Sequence, residues 1–179
     1  MKAPIKRILL GLCFAYTLSI SAQEISESAT KSITQNTIES DKHKMLLAAV
    51  KATQMEDILD KSGPFTIFAP SDAAFAKFSN EKMEQLINSN DKSELKSLLT
   101  YHMVAGNLSA SHILRAMCKG NGKASFTTIQ GKKLIAHMDG YDIVLTDPVG
   151  NTARITAADV NQKNGVIHEI DSVIVPSQM

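Results

Sequence analysis

Reactive or metal-binding chemistry in this chain would have to be built from five histidines, His43, His102, His112, His137 and His168, together with Cys118 and a few acid-rich turns. No two histidines stand at the i, i+4 spacing that puts two imidazoles on one helix face. His168-Glu169-Ile170-Asp171-Ser172 also lacks the second histidine of a zinc-protease motif. No Gly-x-Ser-x-Gly elbow is present to raise a serine nucleophile. Gly120-Asn121-Gly122-Lys123-Ala124 superficially resembles a phosphate loop, but Ala124 stands where the metal-binding hydroxyl is required and no Gly precedes at the right distance. Asp139-Gly140-Tyr141-Asp142 pairs two acids around a turn without the alternating oxygens of a calcium loop, and reads as a solvated hairpin tip. The chain is therefore expected not to be an enzyme and to need no metal or organic cofactor.

The elements that must carry these side chains fall into two halves. From Asp41 the pattern is helical, with Met45, Leu46, Leu47 and Val50 on one side. Thr53-Gln54-Met55-Glu56 has the spacing of a capping box, which predicts a break near Thr53 and a short helix through Met55, Ile58 and Leu59. Further helices are expected around Met83, Leu86 and Ile87, and around Leu95, Leu98 and Leu99 running into Tyr101-His102. Ser109 should cap another that bears Ile113, Leu114 and Met117. After Gly122 the chain turns to strands, Phe126–Ile129, Lys133–His137, Asp142–Thr146 and Ala153–Ala157, divided by glycine turns and read as an antiparallel run. Asn164-Gly165 suits a type I′ turn. The last strand, Val166–Val175, breaks strict alternation, for which a bulge or face switch near Asp171 is the simplest account. The whole reads as an α+β domain with helices packed to one side of a sheet core.

Two boxes frame this domain. In Gly63-Pro64-Phe65-Thr66-Ile67-Phe68-Ala69-Pro70-Ser71-Asp72-Ala73-Ala74-Phe75, a helix stop leads into a strand with Phe65, Ile67 and Ala69 on one face and Thr66 and Phe68 on the other. Pro70 ends its ladder, and Ser71 caps a short helix with Phe75 and Phe78 at i, i+3. The second box is Asn164-Gly165-Val166-Ile167-His168-Glu169-Ile170-Asp171-Ser172-Val173-Ile174-Val175-Pro176, and Tyr101-His102 lies between the two behind Leu98-Leu99. In this order the three motifs, over roughly residues 40 to 176, resemble the signature boxes and Tyr-His motif of the fasciclin (FAS1) domain family. That resemblance implies a wedge-shaped antiparallel β-sandwich, with Phe65, Ile67, Phe68, Pro70, Phe75, Asn164, Gly165, His168 and Asp171 as box residues.

Residues 1–22, with Lys2, Lys6 and Arg7 before the apolar run Ile8–Ile20 and then Ser21-Ala22, read as a secretory signal cleaved near Ala22. Cleavage leaves 16 basic against 18 acidic residues, a net charge of −2 that gives nucleic acid no footprint. It also leaves one cysteine, Cys118, expected to be a small, partly buried thiol. Residues 23–40 are Ser/Thr-rich and read as a flexible polar leader, with the fasciclin domain over 41–177 and no transmembrane segment in the mature chain.

Tyr101-His102 has two readings. By spacing, Leu98, Leu99 and His102 share a helix face and the imidazole orients the helix end. By resemblance, the Tyr-His motif with the branched flanks Leu98, Leu99 and Val104 is linked in animal matrix members to integrin binding, as is an acidic and apolar pair matched here by Asp159-Val160. The sequence departs from that second motif at Ala157, Ala158 and Asn161. His168 reads as a structural imidazole bonded to backbone. The family resemblance and the export signal imply a secreted, periplasmic or cell-surface adhesion or matrix-interaction module. Its partner would be an extracellular protein or polysaccharide, or a second copy of itself. A binder of a small apolar molecule or lipid ranks second, and an exported hydrolase third.

Overall fold

A computed structural model of the chain describes residues 30–177, so the signal segment and the first part of the leader lie outside the described residues. The rest of the leader does not follow the flexible reading. Helix α1 (Ile33–Glu39) opens on a capping box in which Gln35 N–H donates to Ser32 Oγ (3.2 Å) and Ser32 N–H donates to Gln35 Oε1 (2.9 Å). Ile33, Thr34 and Thr37 are buried. One docked isoleucine and a good cap suffice because tertiary packing, not local periodicity, stabilises a short helix.

Helices α2 (Lys44–Ala52) and α3 (Glu56–Lys61) are separated at Thr53, as the spacing predicts, but not by a capping box. The Thr53 hydroxyl instead donates back to Ala49 O (2.9 Å) and Val50 O (3.0 Å), closing α2, while Gln54 takes a φ of +55°. Strand β1 (Phe65–Pro70) follows, and Ser71 caps α4 (Asp72–Phe78) through a bond from Ala74 N–H to its Oγ (3.2 Å). Asp72 also reaches back to α2, where its Oδ1 and Oδ2 accept from Met45 N–H (2.8 Å) and Lys44 N–H (3.2 Å). Then come α5 (Asn80–Asn88), α6 (Ser93–Tyr101), β2 (Met103–Ala105), α7 (Ala110–Lys119), β3 (Lys123–Thr127), β4 (Lys133–Asp139), β5 (Asp142–Thr146), β6 (Thr152–Gln162) and β7 (Gly165–Ile170).

The strands form one curved, seven-stranded sheet in the order β2-β1-β7-β6-β5-β4-β3. All pairs are antiparallel except β1–β7, which runs parallel from Phe65↔Gly165 to Pro70↔Ile170. A bridge between Val104 and Thr128 and the bond from Ile129 N–H to Met103 O (2.7 Å) bring the two ends of the order together, so the sheet closes into a flattened, barrel-like sandwich. β1 divides the core. Phe65, Ile67 and Ala69 face the helical layer with Leu46, Phe75, Met83, Leu95 and Leu98; Phe68 faces the interior with Tyr101, Ile113, Leu134, Leu145 and Ile170. Each buried Phe or Leu contributes on the order of 1.5–3 kcal/mol, which makes β1 the most heavily invested strand.

Two features of the second box differ from expectation. β7 ends at Ile170 with neither bulge nor face switch at Asp171. Asp171 instead exchanges bonds with Arg154, taking Arg154 N–H on its Oδ1 (2.8 Å) and donating its own N–H to Arg154 O (3.1 Å). The irregularity lies in the partner strand β6, whose register against β7 shifts between Ile155 and Ala157 and again before Val160, with Asp159 at φ +60°. The Asn164-Gly165 turn is not type I′. Gln162 pairs with Gly165, so Lys163 and Asn164 are the turn residues, and neither has a positive φ. Asn164 acts instead as a tertiary clamp. Its Oδ1 accepts from Ile33 N–H (2.9 Å), its Nδ2 donates to Leu59 O, and its main-chain O accepts from Phe65 N–H (3.1 Å).

Candidate functional site

Helix α6 buries Leu95, Leu98, Leu99 and Tyr101, and delivers Tyr101 and His102 into the interior at its end. The Tyr101 hydroxyl donates to Lys133 O on β4 (2.9 Å), and burial together with the Asp147 charge pushes the phenol above its ordinary range. His102 Nδ1 faces Leu98 O (2.8 Å) and its Nε2 faces Ile174 N–H (3.3 Å). A carbonyl only accepts and an amide N–H only donates, so the proton sits on Nδ1 and the ring is neutral. Its pKa is pushed down to about 4, chiefly by burial, with the Leu98 carbonyl and the Asp147 carboxylate pulling the other way.

His168 on β7 has the complementary arrangement. Its Nε2 donates to Leu108 O (2.7 Å), its Nδ1 accepts from Asp159 N–H (3.2 Å), and burial lowers its pKa against the pull of the Leu108 bond and Asp159. Phe68 joins the two histidines. Its amide donates to His102 O (2.9 Å), and its ring stacks on His168 at 5.7 Å between centroids. Both imidazoles thus have each nitrogen committed to main chain, which leaves neither ring a nitrogen to exchange protons with a substrate.

Leu98, Leu99, Tyr101, His102 and Val104 are all buried, so a partner reaches none of them in the folded domain. Asp159 is exposed and Val160 half-buried; Asp159 Oδ1 takes Ala110 N–H (2.8 Å), tying β6 to the start of α7. The phenol bond carries a prediction. Tyr101→Phe leaves Lys133 O without its donor and is expected to cost about 1–2 kcal/mol in urea unfolding, against about 3–5 kcal/mol for Tyr101→Ala. A Tyr101→Phe midpoint equal to the parent's would show that the hydroxyl bond carries no stability.

Three groups escaped the sequence reading. Asp147 is a buried carboxylate whose Oδ1 accepts from Val149 N–H (3.0 Å) and Asn151 N–H (2.8 Å). Its Oδ2 accepts from Asn151 Nδ2 (2.8 Å) and Val175 N–H (2.9 Å), fastening the C-terminal segment. The only sequence signal was an Asp before a Pro-Val-Gly-Asn turn. At the β4–β5 tip, Arg154 bridges the two acids, 3.2 Å from Asp139 and bonded to Asp142, below a fully exposed Tyr141. Third, His43 Nδ1 pairs with Ser40 Oγ (2.7 Å), but its buried Nε2 has no hydrogen-bond partner, and His43 and Glu169 both line a cavity of about 180 Å³. Burial lowers the His43 pKa against the pull of Glu169 and Asp72.

Cys118 is exposed, contrary to the expected part-burial. α7 buries Ile113 and Met117 at i, i+4, and the next residue turns about 100° away from that face. A wider groove of about 480 Å³ lies between α4 and the β5–β6 turn, lined by Lys77, Phe78, Asn151, Thr152 and Ser172 among others. Among the described residues no three His, Cys, Asp or Glu side chains are grouped to hold a metal, and no helix is long and apolar enough to cross a membrane.

A family model described as the fasciclin domain matches residues 41–176. Protein sll1483 of Synechocystis is 32% identical over 155 residues, covering 85% of this chain and 79% of that protein. The cell surface glycolipoprotein MPB83 of Mycobacterium bovis is 32% identical over 114 residues, covering 64% of this chain but only 44% of the relative. A solved FAS1 domain pair from the insect cell adhesion molecule fasciclin I superposes with a TM-score of 0.69 at 17% identity, over 81% of this chain and 51% of that one. With its first box on β1–α4, its second on β7 and the segment after it, and its Tyr-His motif at the end of α6, this chain belongs to the fasciclin domain family.

Proposed function

We propose that this protein works outside the cytoplasm as a non-catalytic, surface-presented adhesion or matrix-interaction module. Its partner is an extracellular protein or polysaccharide. The observation that carries this reading is the fasciclin relationship itself, whose surface relative MPB83 and adhesion relative fasciclin I share the domain found here. The geometry agrees. Both motif histidines are bonded through each ring nitrogen to main chain, so these motifs support the scaffold, and recognition falls to the surface of β6 and the Asp159–Gly165 turn. An apolar carrier is a poorer fit. The apolar cavity lined by Ile33, Leu46, Val50 and Leu99 has about 30 Å³, against roughly 300–1,000 Å³ for pockets that enclose a drug-sized ligand.

A single small domain of near-neutral charge is expected to hold its partner weakly, so adhesion needs many copies whose avidity multiplies modest affinities. Cells carrying the gene should attach or aggregate more than cells lacking it, and the purified protein should show no saturable hydrolysis. Unchanged attachment on every surface, with an activity abolished by one Ser or His substitution that leaves the fold intact, would overturn the reading in favour of an enzyme.

A further inference from the structure

The cavity in front of His43 exists because of a cross-strand pattern. Glu169 on β7 is flanked in register by Ala69 on β1 and Ala157 on β6, and two alanines beside one long carboxylate leave the sheet surface hollow. Ile167 and Val160, the next pair along, complete an apolar floor, while α1 and residues 40–43 form the opposite wall. The space of about 180 Å³ equals roughly six water molecules at ~30 Å³ each.

The polar groups at its wall are only partly satisfied. Ser40 Oγ accepts from Lys42 N–H (3.3 Å) and lies 2.7 Å from His43 Nδ1, which leaves the buried His43 Nε2 as the ring nitrogen without a partner. Glu169 Oε1 accepts the Thr156 hydroxyl (3.0 Å), which leaves Oε2 as an acceptor 4.0 Å from His43 Nε2. That separation is too long for a hydrogen bond. It is the span that one hydroxyl group bridges, sitting about 2.8 Å from each atom, donating to the carboxylate and accepting from the imidazole in its Nε2–H tautomer. A buried ring nitrogen without a partner is costly, so the site is built to be filled.

We infer that this cavity binds one neutral monosaccharide unit at the end of a glycan, with a ring hydroxyl bridging His43 and Glu169. The aliphatic C–H face would lie on Ala69, Ala157, Val160 and Ile167. A pyranose is amphiphilic in this sense, apolar on one face and rimmed by groups that both donate and accept. The Lys42 ammonium lies 4.0 Å from the same Glu169 carboxylate and offsets it, so the site carries no net charge to favour an ion. The inference rests on the reading of the domain as an exported binding module and names what that module holds.

The test is an NMR titration of the ¹⁵N-labelled protein with the methyl glycosides of glucose, galactose, mannose and N-acetylglucosamine in the millimolar range. At least one should give saturable shifts confined to Thr37, His43, Val160, Ile167, Glu169 and their neighbours. Ala157→Phe fills the hollow from an exposed position and Glu169→Gln removes the carboxylate; each should weaken binding about tenfold or more, with melting close to the parent's. No shift with any glycoside, shifts that survive in Ala157→Phe, or tighter occupancy by free serine, a smaller zwitterion, would overturn the inference. Attachment retained without glycoside binding removes this site and leaves the adhesion reading standing. Glycoside binding without attachment does the reverse.

Discussion

Gly165→Ala is expected to abolish folding. A Cβ at this position would lie 1.9 Å from Phe65 O, 2.8 Å from Phe65 C and 2.9 Å from Phe65 N, all main-chain atoms with no freedom to swing aside. Residue 165 also holds a φ of +154°, which side chains disfavour. Phe65 and Gly165 begin the parallel β1–β7 pair, so relief of the clash must part the two strands where Asn164 O accepts Phe65 N–H and where Asn164 holds α1 and α3. The loss therefore spreads from one methyl group to the junction of two strands and two helices, beyond the roughly 4–5 kcal/mol that marks an exceptional substitution. Gly140→Ala is the control. Gly140 has φ +61° on the β4–β5 tip with nothing within 4 Å of its added Cβ, so only the backbone term of about 1–2 kcal/mol applies. Circular dichroism and urea unfolding of the two variants check the contrast. A Gly165→Ala protein that unfolds within about 1 kcal/mol of Gly140→Ala would show that the strands slip past the methyl group at little cost.

The parts of this fold that local chemistry determines were legible in the chain. The β1–α4 corner follows from alternating Phe and Ile, a proline and a serine cap within eleven residues, and the structure has them where those rules put them. The Leu spacing of α6 likewise predicts that Tyr101 and His102 arrive at a helix end. What could not be read is fixed by partners far away along the chain. Asn164 has the composition of a turn residue, yet its side chain bonds Ile33 and Leu59, 131 and 105 positions distant. Helix α1 has one fully docked apolar residue, too few to raise a periodic signal, and its one local mark is the Ser32–Gln35 cap. The cavity is less visible still. It needs His43 and Glu169 opposite one another and alanines on two different strands beside Glu169, a pattern that exists only after β1, β6 and β7 have paired.

Acid should weaken this domain well before its carboxylates are all protonated, because its buried histidines are bonded as neutral rings. An unfolded His102 takes its proton near the ordinary value of 6.5, whereas the folded one holds out to about 4. Between those values the unfolded state binds more protons, so stability is whole above about pH 6.5 and falls as pH drops toward 4, below which His102 adds no further loss. At about 1.4 kcal/mol per pH unit, that interval corresponds to about 3 kcal/mol, a large share of the 5–15 kcal/mol that holds a typical domain together. His168 and His43, both lowered chiefly by burial, act in the same direction. The structural event is specific. A proton on His102 Nε2 would face the N–H of Ile174, donor against donor, and release the segment after β7 that Asp147 holds through Val175. Urea midpoints at pH 7, 5.5 and 4.5 measure the effect, and His102→Gln isolates it. The amide never charges, so the variant should be less stable than the parent at pH 7 yet lose less on acidification, since the carboxylate contribution is common to both. Parallel decline of parent and variant across that range would show that His102 does not set the acid response, and a parent midpoint unchanged from pH 7 to 4.5 would show that none of the three rings does.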